Sequence, residues 1–256
     1  MRQVIRCVWE HRGEDSLLHA IDYAGAFTRG PNRAGAEGKM GEEIASYLEW
    51  SHGAPPDAWT VEVVQEKVSD LRIADADSDV LFEEEKAPLS EEEYRQRKAL
   101  VLKSAEDFWV LYQSVPNPDA SCLPSRTTFY GPVPRTAREM YEHTKNVNAY
   151  YFGEIGVHAD NTGTIAACRK RGFELLEQSD GFLNRPAVEG SYGEMWSLRK
   201  LLRRFLWHDR IHAKAMYRMA MRTFGACDLK NPFRFREKSR KTEGSVPSVS
   251  YTHLTL

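Results

Sequence analysis

The sequence has little cysteine, no long apolar run and almost no net charge. Four cysteines in 256 residues, Cys7, Cys122, Cys168 and Cys227, stand far apart with no CxxC spacing. That scatter argues against a disulfide framework and against a cysteine zinc site, so each thiol reads as buried or incidental. No apolar stretch is long enough to span a bilayer, and the N-terminal MRQVIRCVWE lacks the apolar centre of a signal peptide. A cytoplasmic protein is expected. A formal net charge of -2 and an isoelectric point near 6.5 give no electrostatic case for nucleic acid or for an anionic membrane. Also missing are a GxGxxG, a Walker phosphate loop and any Ser-His-Asp or Cys-His arrangement, which removes the common nucleotide-binding and nucleophilic classes.

What is present is a globular composition, 41% hydrophobic, in a chain that changes character near its middle. QVIRCVW (3–9) and SLLHAI (16–21) read as short strands, and DYAGAFTRG as a turn, a third strand and a further turn. In NRAGAEGKMGEEIASYLEW, Ala36, Met40, Ile44 and Leu48 recur every fourth residue and predict a helix. Gly35, Gly38 and Gly41 each cost that helix about 1 kcal/mol relative to alanine, so tertiary packing must hold it. TVEVV and DVLFEEE predict two more strands, separated from the helix by the loop SHGAPPDA. Residues 1–86 therefore form a small α+β unit.

The pieces AIDYAGAFTRG and EEIASYL give this unit a resemblance to the HicB-like antitoxin domain over about 45 residues. Ala24 stands where that family has proline. In the family the fold masks a toxin, which implies a protein partner here, although no toxin or DNA-binding segment is recognisable. Packing or dimerisation alone is the other reading.

From Pro88 the pattern is helical. LSEEEYRQRKALVLKSAEDFWVLYQSV opens with Ser90 as N-cap and Glu93 completing a capping box. Val101, Ser104, Phe108, Leu111 and Val115 trace its inner face, and PNPDASCLPS breaks it. A second helix, RTAREMYEHTKNVNAYYFGEIG, places Met140, His143, Val147 and Tyr150 inward, and a third, GTIAACRKRGFELLEQ, places Ile165, Cys168, Leu175 and Leu176 inward. The fourth runs from about Tyr192 to Phe224, with Leu198, Leu201, Phe205, His208, His212, Ala215 and Met219 on one line. Four amphipathic helices over residues 88–228 predict an all-α bundle behind the α+β unit.

Two histidines four apart lie about 40° apart around a helix and about 6 Å along it, close enough for both imidazoles to reach one ion. His143 on another helix supplies a third neutral nitrogen, the donor set of a metal site that keeps a coordination position open. A single histidine on a helix stripe is more often hydrogen-bonded within the core. Three together are costly to bury without a shared partner. His11, His19, His52 and His158 fall outside any chelate spacing and are expected to be solvated.

A four-helix bundle with one histidine in its second helix and HxxxH in its fourth resembles the DinB/YfiT-like superfamily of metal-binding enzymes, over roughly Pro88 to Cys227. His143, His208 and His212 fall at that family's metal ligands. The family's HxxHHRGQ is replaced by WHDRIHAKAMYRM, with Ala213, Lys214 and Ala215 at the positions of the second histidine and Arg-Gly, so the family's substrate contacts do not carry over. The resemblance implies a divalent metal, zinc or nickel, and a low-molecular-weight thiol, in a thiol S-transferase or a hydrolase acting on a small electrophile. Tyr150 is the candidate catalytic donor, and Asp209 and Glu142 the candidate carboxylates orienting imidazoles; each sits as comfortably on a packing or solvated face. Two other readings stay open: a non-catalytic binding protein with a structural or vestigial metal site, acting through the HicB-like unit, and a polar core with no metal.

Arg199, Arg203, Arg210, Lys214, Arg218 and Arg222 read as a solvated face paired with acids of other helices, or as a docking surface for an anion or a second subunit. WSLRKLLRRFLW is apolar on two sides, which predicts burial by two neighbours and hence a homodimer. Residues 229–256 read as a disordered tail, and from about Thr242 the Ser- and Thr-rich ending, SVSYTHLTL, resembles translated sequencing-adaptor read-through, so His253 carries no weight.

Overall fold

The computed structural model describes residues 3–54, 58–75, 77–128, 131–225 and 228–236. The fold is mixed α/β: an N-terminal four-stranded sheet with one helix, then four more long helices. Strands β1 (Gln3–Arg12), β2 (Asp15–Ala20) and β3 (Phe27–Gly30) form an antiparallel meander, with Cys7 opposite Ala20 and Leu18 opposite Thr28. Helix α1 (Arg33–Ser51) then returns the chain so that β4 (Trp59–Val68) lies parallel to β1, giving the order β3-β2-β1-β4.

Asn32 caps α1 by accepting from the Gly35 amide at 2.8 Å. Ala36, Met40 and Ile44 are buried as their spacing predicts, and Leu48 is half-buried against the same core. Gly41 also has a packing reason: a Cβ there would stand 2.2 Å from the Trp59 ring, so glycine lets β4 close on α1. DVLFEEE is not a strand. Its three glutamates open a 3₁₀ turn, Glu83–Lys86, in which the Glu85 carboxylate accepts from the Phe82 amide at 3.0 Å.

The remaining helices are α2 (Glu91–Gln113), α3 (Ala137–Glu154), α4 (Ile165–Glu177) and α5 (Leu198–Phe224). Helices α2 and α3 each pack against both α4 and α5. The Ser90–Glu93 box caps α2 as predicted, and Thr136 with Glu139 repeats the device on α3. Helix α5 starts later than predicted, at the Ser197 cap, because Ser191–Gly193 form a 3₁₀ turn and Met195–Trp196 a short strand. On α4, Leu175 is exposed, and Arg169, Gly172 and Phe173 complete the inner face instead.

One hydrophobic cluster joins Ile5, Cys7 and Leu18 of the sheet to Phe205, Leu206 and Met216 of α5. A second joins Leu17 and Phe27 to Trp207 and Ile211. The two-sided burial read in WSLRKLLRRFLW is therefore met within the chain, by α2 and α3 on one side and the sheet on the other. Gly25, at φ +90°, permits this contact, since a Cβ there would lie 2.5 Å from that of Leu206.

The basic residues of α5 correct the expectation of a solvated face. Arg203 is buried on Glu85 (2.5 Å), Arg210 on Glu43 (2.6 Å), and Lys200 lies 2.9 Å from Glu194. Lys214 shares Glu43 at 2.7 Å, and Arg199 binds Glu93 at 3.0 Å, whereas Arg218 and Arg222 are exposed. Order also continues past α5: Phe233 and Phe235 are buried, Phe233 stacking on Trp50 at 5.4 Å. Cys227, His253 and the sequence from Thr242 lie outside the described residues. No helix among the described residues is long and apolar enough to cross a membrane.

Candidate metal centre

The i, i+4 spacing on α5 carries His208 and His212 to the seam with α3, where His143 meets them. Nitrogens of all three rings lie within 4.8 Å of one another. The Nε2 atoms of His143 and His208 are 3.2 Å apart, and the ring centroids are separated by 5.1 Å (143–208), 4.6 Å (143–212) and 4.5 Å (208–212). Two nitrogens bound tetrahedrally at metal–nitrogen distances of about 2.0–2.1 Å stand about 3.3 Å apart, so the pair has the separation a shared ion requires. A single shared proton also fits that separation. The group could hold a metal ion.

Loss of surrounding water lowers the pKa values of the imidazoles, those of His208 and His212 well below the usual histidine range and that of the more exposed His143 in the same direction. The neighbouring histidines add to this for His208, and so do Arg204 and Arg169; His143 adds to it for His212. Neutral rings are the state that donates lone pairs to a cation. His143 differs from the expected core position: it is exposed. The buried face of α3 runs through Met140, Tyr141, Thr144, Asn148, Tyr151 and Phe152, which puts His143 and Tyr150 on the helix edge.

The other expected residues fall elsewhere. Tyr150 is 38% exposed and lines a surface pocket with Gly153, Glu154, Gly190 and Ser191. Its neighbour Tyr151 is the tyrosine that meets the histidines, edge-on to His208 at 5.9 Å. Glu142 pairs with Lys145 at 2.6 Å. Asp209 is fully buried and bound to Arg169 at 2.6 Å, with burial raising its pKa against the pull of that guanidinium. Neither carboxylate orients an imidazole among the described contacts, and His208 Nδ1 is buried without a partner.

His19 corrects the expectation that the remaining histidines are solvated. It is 2% exposed and lies 3.7 Å from the buried Glu10, which accepts from Ser78 at 2.5 Å. His52 and His158 are exposed, and His11 binds Glu66 at 2.9 Å. Sequence reasoning passed over Arg204, four residues before His208 on the same stripe; the 204, 208, 212 spacing was its only signal. Comparison of the chain with protein-family models, with curated proteins and with solved structures finds no match.

Proposed function

We propose that this chain is a divalent-metal-dependent enzyme of the DinB-like type, in which His143, His208 and His212 hold the ion. The convergence of three electrically neutral imidazoles from two helices carries this reading. A bound zinc or nickel ion supplies Lewis acidity that lowers the pKa of a small thiol or water and holds the nucleophile beside a small electrophile. The protein's share is to orient and to enclose. Helices α3 and α5 fix the rings, Tyr151 packs against His208, and the exposed edge of His143 leaves the group reachable from solvent. No carboxylate stands in the donor set, so the ion keeps its full double charge for the reacting group.

Metal analysis by mass spectrometry on untagged protein tests this, run beside His143→Ala and His208→Ala. About one equivalent of zinc, nickel or another divalent ion is expected in the wild type and in neither variant. A wild-type protein that stays metal-free after reconstitution overturns the reading and leaves the histidines as a polar core.

A second reading, a non-catalytic protein acting on a partner through a HicB-like unit, draws support from the strand order of the N-terminal part. Three antiparallel strands and a helix follow in the order read from the sequence, one strand rather than the two expected comes after the helix, and β4 has β1 as its one sheet neighbour among the described residues. Metal-loaded protein that is inert towards panels of thiols and electrophiles would favour this second reading.

A further inference from the structure

Every buried cation of α5 but one touches a carboxylate. Lys200 has Glu194, Arg203 has Glu85 and Arg210 has Glu43. Arg204, 9% exposed, has no carboxylate within ion-pair distance among the described residues. Its Nη1 donates to the Ser78 carbonyl at 2.6 Å, and its Nε has no partner. The guanidinium lies instead among ring faces: Trp207 at 4.9 Å, Tyr151 at 5.4 Å and Trp196 at 5.5 Å. The indole N–H groups of Trp196 and Trp207 are likewise buried without acceptors. Three donors around the guanidinium thus lack a hydrogen-bond partner, and the carboxylates of Glu194 and Glu10 act on its charge without touching it.

That place adjoins the histidine group. Arg204 and His208 are one helical turn apart, and both meet the ring of Tyr151, at 5.4 and 5.9 Å. His208 keeps 8% exposure and His143 is exposed, so the seam reaches solvent at its histidine end, one helical turn from the guanidinium. Ring faces attract a cation but accept only weak hydrogen bonds, whereas a carboxylate supplies both a counter-charge and lone pairs.

We propose that Arg204, with the indole N–H groups of Trp196 and Trp207, forms an anion subsite beside the histidines, and that the thiol taken at that centre carries a carboxylate. The inference rests on the metal-centre reading for the thiol and on Arg204's surroundings for the carboxylate. Arg204 is a specificity-determining residue, since it binds the part of the molecule remote from the reacting sulfur.

Cobalt(II)-loaded protein titrated with 3-mercaptopropionate and with 2-mercaptoethanol tests the pairing, with thiolate-to-cobalt absorption as the readout. The acid is expected to bind about tenfold tighter or more, the scale of one charge-assisted hydrogen bond. Arg204→Gln should bring the ratio of the two thiol affinities, measured within that variant, to about one while still binding cobalt and 2-mercaptoethanol, and Arg204→Lys should retain part of the preference. Circular dichroism of both variants reports their folding. Equal affinities in the wild type, or a preference that survives in Arg204→Gln, overturn the proposal. Metal-free protein titrated with succinate, followed by tryptophan emission, separates the two layers. A saturable shift lost in Arg204→Gln upholds the subsite even where cobalt fails to bind, an outcome that sinks only the metal centre. No Arg204-dependent response in either form sinks the subsite.

Discussion

Lys200 shows how much a buried cation depends on what surrounds it. Its Nζ donates to the carbonyls of Asp79 and Met195, both at 2.7 Å, and lies 2.9 Å from Glu194. Burial still prevails and pulls its pKa from 10.5 down to about 8. Between those values the unfolded chain holds a proton that the native protein sheds, so stability rises with pH through the window, and the penalty is complete below it. Lys200→Met removes this proton and adds a pH-independent offset for the two carbonyls left bare. Wild type should therefore gain on the variant by about 1 to 2 kcal/mol between pH 7.5 and 9.5, at about 1.4 kcal/mol per pH unit of full displacement. Urea unfolding of both proteins across that range measures it; parallel curves would show that the ammonium keeps its ordinary affinity for protons. Glu43 makes the contrast, since burial pushes its carboxyl up while Lys214 and Arg210 more than reverse the effect and leave it below its usual value.

Among the elements, the contact of α3 with α4 turns on one missing methyl group. A Cβ at Gly172 would stand 2.1 Å from the Phe152 ring, and that ring is wedged between Phe173 and Phe205, each 5.3 Å away. Alanine gains about 1 kcal/mol over glycine in a helix interior, but forcing a packed ring aside costs about 1–3 kcal/mol and more where nothing can yield. Gly172→Ala should therefore lose about 2 kcal/mol of stability, and a chemical denaturation midpoint equal to or above the wild type would show that the helices part freely. The same helices mark what the sequence made legible. Helix α2 could be read because its cap is local and its inner face is apolar or small throughout. The face of α3 was read askew because its buried side includes polar residues that bond carbonyls: Thr144 donates to the Met140 carbonyl at 2.8 Å, and Asn148 to the Asp160 carbonyl at 2.8 Å. The pair His208 and His212 was visible because chelate spacing belongs to one helix. Arg203 and Arg210 looked solvated because their acids, Glu85 and Glu43, stand 118 and 167 residues away in sequence.

Those distant acids decide how the whole molecule comes apart. Helix α5 is shared between the sheet and the other helices, so neither part keeps its core when the other unfolds. Buried ion pairs enforce the sharing: a guanidinium taken out of water is tolerated only beside its carboxylate, and removing one partner typically costs about 3–5 kcal/mol because the other charge stays buried. Arg203 and Arg210 would each lose their carboxylate if the N-terminal part peeled away, which makes partial unfolding nearly as unfavourable as complete unfolding. The described residues should then melt in one transition, with equal calorimetric and van't Hoff enthalpies. Glu43→Gln, which strands Arg210 and Lys214 together, should lower stability by about 3–5 kcal/mol without splitting that transition. Differential scanning calorimetry of the two proteins checks both statements. Two resolved peaks in the wild type would mean that sheet and helices hold together by separate cores, and a Glu43→Gln protein within about 1 kcal/mol of wild type would mean that the buried pair is dispensable.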